Sequence, residues 1–188
     1  MSKKKIKPTM AYRSKIVVNV INHFIKKKDR VLDVGCGNGW ITEEVRKKTG
    51  CQTTGTDILN YLEINMPFKK MKSSGKLPFK SNSFDIVTFV DMLHHVGKED
   101  QERLIREGLR VGKRVIIFEV KPTVLAKLID YLINQIHNTE MNIPLNFRSV
   151  DGWKWIFKRI KCKHKVIDVK KPNILYPIKN YIFVVEKK

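Results

Sequence analysis

The chain has 188 residues, enough for one domain with a core of its own. It is 42% hydrophobic and 30% charged, which excludes a disordered chain, and its three cysteines form no CxxC pair, which argues against a disulfide framework or a zinc ribbon. Lysine and arginine number 38 against 18 acids, a formal charge of +20 that invites nucleic acid or an anionic surface as a partner and says nothing about fold.

Residues 1–9 read as a basic flexible tail and 10–188 as a single domain. The tail has lysines but no apolar stretch of a secretory signal, and no later run reaches the ~18 apolar residues of a membrane span. A soluble, cytoplasmic setting is expected. From Tyr12, Ile16, Val17, Val20, Ile21, Phe24 and Ile25 recur at helical spacing. Residues 30–34 read as a buried strand, 35–39 as a glycine-rich turn, and 40–48 as a helix stopped by Gly50. Strands follow at 51–57 and 84–90, with irregular chain at 60–83 between them. A polar-faced helix is expected at 98–110 and a strand at 113–120. Val124, Leu125, Leu128, Ile129, Leu132, Ile133 and Ile136 form the clearest helical stripe. A loop over 137–148, a short helix with Trp153, Trp155 and Phe157, and strands at 160–169 and 178–185 complete the chain. Alternating helices and apolar strands indicate a largely parallel α/β sheet. The last two strands are too close in sequence for a crossover and should pair antiparallel.

The strongest local signal is Val31-Leu32-Asp33-Val34-Gly35-Cys36-Gly37-Asn38-Gly39. Alternating glycines after a strand let the backbone turn sharply and approach a ligand, and the next helix presents its amides to it. Asp57 closes the following strand, where a carboxylate can accept from both hydroxyls of a ribose. A dinucleotide site is the competing reading. Against it, the spacing is GxGxG with Trp40 next, and Asp33 stands where a pyrophosphate would be repelled but a cationic ligand held.

This segment resembles motif I of the class I S-adenosylmethionine (SAM) dependent methyltransferases. Leu77-Pro78-Phe79, Ser83-Phe84-Asp85-Ile86-Val87 and Leu93-His94-His95-Val96 resemble the type 11 group, which includes quinone-pathway C-methyltransferases and many small-molecule enzymes. The segment 144–149 with Trp153 and Phe157 is similar to that group's stretch before strand six, so the resemblance spans about residues 12–185. It implies a Rossmann-like three-layer sandwich with a seven-stranded sheet, order 3-2-1-4-5-7-6, the last strand antiparallel. It implies that Gly35, Cys36 and Gly37 wrap the methionine part of SAM, that Asp33 supports its amino group, that Asp57 holds the ribose and Ile58 the adenine, and that Val90 and Asp91 lie near the sulfonium. Where the family often has an adenine-binding Asp, this chain has Ser73.

Methyl transfer needs an in-line acceptor and exclusion of water, and a base only if the acceptor carries a proton. His94, His95 and Asp91 cluster after a strand end and are the candidate catalytic groups, although a His pair at a helix start is also ordinary architecture. Glu119, Asn146 and Arg148 are candidates for the acceptor side, with capping or surface roles as the alternative. Tyr12 could close the cofactor pocket, or simply pack. No NPPY-type tetrapeptide follows residue 90, and no metal site is expected from the histidine spacing. The acceptor is expected to be a small or lipid-like molecule. The alternatives are an RNA acceptor gripped by the basic surface, and a SAM- or nucleic-acid-binding protein without transferase activity. Lys161, Lys163 and Lys165 would share one face of a late strand, as a phosphate grip or as a guard against edge pairing.

Overall fold

A computed structural model describes residues 8–72, 75–128, 145–169 and 178–188. Helix α1 (Pro8–Ile21) starts with proline at its first position, where the missing amide proton costs nothing. The helix thus begins ahead of Tyr12, and of the expected basic tail only residues 1–7 lie outside the described residues. Strand β1 (Arg30–Val34) is followed by α2 (Trp40–Thr49), β2 (Gln52–Thr56), β3 (Phe84–Val90), a 3-10 turn (Leu93–His95), α3 (Lys98–Val111) and β4 (Gly112–Val120). Residues 124–128 are helical, and the rest of the stripe expected up to Ile136 lies outside the described residues. Helix α4 (Val150–Arg159), capped by Ser149 Oγ on Gly152 N at 3.1 Å, leads to β5 (Cys162–Val169) and β6 (Asn180–Lys187).

The sheet order is β2-β1-β3-β4-β6-β5. The first four strands are parallel, and β6 runs antiparallel between β4 and β5, as the close spacing of the last two strands requires. The expectation of seven strands is corrected to six among the described residues. The third strand that the resemblance implies is, among the described residues, a single parallel bridge, Gly55 with Phe68. Gly55 N to Pro67 O, Lys69 N to Gly55 O and Met71 N to Asp57 O flank it. Pro67 has no amide proton and β2 ends at Thr56, so the ladder cannot lengthen.

Helices cover both faces, giving three layers. Val17, Val18 and Ile21 of α1 and Val45 of α2 pack on Val31, Ile86, Ile116 and Ile182. Leu104 and Ile105 of α3 and Trp153 and Phe157 of α4 pack on Leu32, Val87, Val115 and Phe183. The Trp153/Phe157 pair is therefore core, whereas Trp155 is exposed with the Arg159 guanidinium 5.1 Å above its ring. Leu77-Pro78-Phe79 is a clasp. Glu107 accepts from Leu77 N at 2.9 Å, and Arg110 donates to Leu77 O and Phe79 O. Asp85 pins the amino-terminal edge by pairing with Arg30 of β1 and Lys113 of β4, which holds its carboxyl far below the usual range. β5 is the outer strand, and Lys161, Lys163 and Lys165 are exposed along that edge.

Candidate active site

The parallel strands β1 to β4 all end on one edge, and the chemistry-bearing residues gather there. After β1 the chain turns through Gly35, Gly37 and Gly39 at φ +72°, +52° and +82°, left-handed values that other residues adopt with strain. Gly35 is also required by space, because a Cβ there would lie 2.9 Å from the Met92 side chain. At Gly37 a Cβ would meet nothing within 4 Å, so this backbone faces open space.

Asp57 organises the turn from the end of β2. Its Oδ2 accepts from Gly37 N at 2.9 Å and its Oδ1 from Ile58 N at 2.7 Å. Burial pushes its pKa up, and those backbone amides pull it back. Each oxygen keeps further acceptor capacity. Ile58 and Leu59 expose large apolar side chains beside it. Ser73 lies outside the described residues.

Asp33 is buried beneath the glycine turn. Thr88 Oγ1 donates to its Oδ1 at 2.8 Å, and Thr42 Oγ1 donates to its Oδ2. Burial pushes its pKa up to about 6 despite both hydroxyls, and the nearby Asp57 charge adds to the rise. Asp33 therefore keeps its proton below about pH 6 in the folded chain, against an ordinary 3.8. The sign follows from linkage: the fold loses stability as pH rises from about 4 to 6 and the buried charge forms. Asp33→Asn is expected to raise stability at pH 8 by about 1–3 kcal/mol, read by urea denaturation, with no such gain at pH 4. A destabilised Asn variant at pH 8 would show that the threonines more than offset the burial.

Asp91 follows β3 in a left-handed conformation, φ +47°. Its amide donates to Phe118 O at 2.8 Å, and Arg13 of α1 donates to its Oδ2 at 2.5 Å. Val90 is half-buried at the end of the same strand. The turn Leu93–His95 rests on Glu119 of β4. Glu119 Oε1 accepts from Leu93 N at 2.8 Å, and its Oε2 lies 2.6 Å from His94 Nδ1. His94 is 1% exposed and stacks on Phe147, with ring centroids 4.5 Å apart. It acts as a pillar of the turn, and half-buried His95 is the imidazole of the pair that solvent reaches.

The expected acceptor-side residues Asn146 and Arg148 are bound into the protein. Asn146 N donates to His94 O and its Nδ2 to Val96 O, at 2.8 and 3.0 Å. Arg148 donates to Gln101 Oε1 and to Lys98 O, and its guanidinium lies 5.9 Å from the Trp153 ring. Glu119 likewise spends both oxygens on the turn. Tyr12 is half-buried on α1, and Cys36 is buried in the glycine turn.

Sequence reasoning missed Arg13, Thr42, Thr88 and Gln101. Gln101, fully buried on α3, donates from Nε2 to both Leu93 O and Asn146 O and so ties the His turn to the 145–148 loop. Thr88 had a readable signal, a polar residue inside an apolar strand, while its register opposite Asp33 is a property of the folded sheet. Arg13 and Gln101 carried none.

The residues fit SAM. Asp33 and Asp57 suit a ligand with a cationic amino acid end and a ribose, and Gly37 leaves room for it. Among the described residues no group of three His, Cys, Asp or Glu side chains could hold a metal ion, and no helix is long and apolar enough to cross a membrane.

Residues 32–117 match the family described as a methyltransferase domain, of type 11. A ubiquinone biosynthesis O-methyltransferase of Nitrosococcus oceani is 34% identical over 40% of this chain and 36% of its own length. The chain's matches thus span about a third of the length of the first curated methyltransferases it resembles. An uncharacterised protein of Methanocaldococcus jannaschii is 26% identical over 97% of this chain and 83% of that protein. In fold, a SAM-dependent methyltransferase from Archaeoglobus fulgidus superposes with a TM-score of 0.71 at 17% identity, covering 96% of this chain and all of that one (100%). The glycine turn with its two carboxylates, the sheet order and these matches agree: residues 32–117 resemble the type 11 methyltransferase domain, and the chain has the fold of SAM-dependent methyltransferases.

Proposed function

We propose that this chain transfers the methyl group of SAM to a small or lipid-like acceptor. The observation that carries this reading is the Asp57 carboxylate locked onto Gly37 N and Ile58 N beside open space at Gly37. When bound, SAM supplies a methyl group already activated on a sulfonium. The chain's own residues then bind and orient. Asp57 accepts from the ribose hydroxyls, the exposed Ile58 side chain offers a face to adenine, and Gly35, Cys36 and Gly37 line the methionine part. Asp33, ionised above about pH 6, offsets the ligand's positive charge from beneath the turn. Val90 and Asp91 border the reacting end. His95 is positioned to take a proton where the acceptor carries one, with His94 and Glu119 holding the turn beneath it.

The relative from Nitrosococcus oceani is named for ubiquinone biosynthesis, which supports a small or lipid-like acceptor. The test is tritium-labelled SAM incubated with the protein and fractionated cell extract. Label is expected in the small-molecule or lipid fraction. Label in RNA would replace this acceptor class with the basic-surface alternative. No label anywhere, with SAM bound by calorimetry, would leave a binding protein and overturn the transferase reading.

A further inference from the structure

The turn at Asp91 carries a feature that the cofactor site does not use. The Asp91 side chain is 7% exposed, and Arg13 occupies its Oδ2. Its Oδ1 is buried and has no hydrogen-bond partner among the described residues. Buried carboxylate oxygens are almost always satisfied, because leaving one without a donor forfeits its hydration. The backbone adds to the cost, since Asp91 is a non-glycine residue held at φ +47°. Its amide bond to Phe118 O fixes that conformation, and Arg13 fixes the carboxylate. Two anchors thus hold a strained residue so that one oxygen stays unused.

The location narrows what would use it. Asp91 closes β3, and the next residue, Met92, packs directly over Gly35 of the glycine turn. On its other side the chain enters the Leu93–His95 turn. Asp91 therefore stands between the segment assigned to the methionine part of SAM and the segment assigned to the acceptor. The cofactor's cationic end already has Asp33, and its ribose has Asp57.

We infer that Asp91 Oδ1 is the acceptor-binding oxygen of this site, and that the acceptor carries an amine or hydroxyl hydrogen-bond donor beside the methylated atom. This rests on the methyltransferase reading above. The acceptor's N–H or O–H completes the hydrogen bonding of Oδ1, and Arg13 is a positioning residue that holds Oδ2 so that Oδ1 points consistently. A carboxylate there also disfavours acceptors with an anion at that position and apolar ones with no donor.

The experiment compares wild type, Asp91→Asn and Arg13→Lys with labelled SAM and the extract fraction that wild type labels. Calorimetry of SAM and a thermal melt are run on each. Asp91→Asn is expected to keep SAM affinity within threefold while label transfer falls at least tenfold and the amount of fraction needed for half-maximal rate rises. Arg13→Lys, which keeps a cationic donor of nearly the same reach toward Oδ2, is expected to stay within about fivefold of the wild-type rate. Mass spectrometry of the labelled product is expected to show an N–methyl or O–methyl group, or a free amine or hydroxyl next to the new methyl. Transfer by Asp91→Asn at the wild-type rate overturns the inference, as does a product with neither group. A parallel loss of SAM binding assigns Asp91 to the cofactor instead, and equal losses in both variants reduce the pair to a latch on α1. Absence of transfer by wild type overturns the methyltransferase reading itself, and the inference with it.

Discussion

Asp57→Ala is expected to lower SAM affinity at least 100-fold, to below calorimetric detection at micromolar protein, in a chain that still folds. Two effects add. The ribose hydroxyls lose an ionised acceptor, and hydrogen bonds to a charged group each contribute about 1.5–3 kcal/mol, so a pair accounts for a factor of about 100 or more. The turn also loses its organiser, because Gly37 N and Ile58 N both donate to this one carboxylate. Gly35 N still bonds Thr56 O at 2.8 Å, so β1 and β2 stay joined and only the outer part of the turn is released. Asp57→Asn separates the two effects, since one amide oxygen can still accept while its NH2 opposes one of the two backbone donors. Unchanged affinity in the Ala variant would remove the cofactor from this rim altogether.

Glu119→Ala is expected to cost about 3–5 kcal/mol of stability, a large share of the ~5–15 kcal/mol of a typical domain. The side chain is buried and both of its oxygens are used, by Leu93 N and His94 Nδ1. Alanine leaves two buried partners without an acceptor and opens a void beside Phe147 and His95, which pack on His94. Glu119→Gln keeps the shape and one acceptor and is expected to cost about 1–2 kcal/mol. Its NH2 opposes His94 Nδ1 and drives the ring toward the tautomer protonated on the other nitrogen. Denaturant midpoints of the two variants check this order. Equal, small losses would show that the turn is held by Gln101 and the 145–148 loop without Glu119.

Much of the fold was legible because its signals are local. Apolar strands of five to nine residues, glycine stops and the helical stripes each depend on neighbours a few residues apart. The glycine turn was legible for the same reason, since the φ > 0 positions and the strand before them are contiguous. Asp33 and Asp57 could be named because each sits at a fixed place relative to its own strand. The seventh strand was expected from resemblance alone, and at Pro67 the local chemistry prevailed, leaving one bridge.

The acceptor side depends on partners far away in the sequence. Arg148 and Asn146 were plausible ligand residues as letters in a loop. In the folded chain Gln101, 47 residues from Arg148, takes up its guanidinium, and the carbonyls of the His turn take up Asn146. His94 reads as a candidate base from its place after a strand; in the folded chain it lies in a buried pair with Glu119, 25 residues later.

Local pattern alone carried the α/β class and the strand-turn-helix with the two carboxylates of the candidate cofactor site, since hydrophobic period and backbone freedom are properties of short segments. Which polar groups are already spent, and which are left for a ligand, depends on the folded chain. Arg13 meets Asp91 across 78 residues, and Thr88 meets Asp33 across 55. Such pairings are set by strand register and helix packing, which bring distant side chains within 3 Å and which no local pattern encodes.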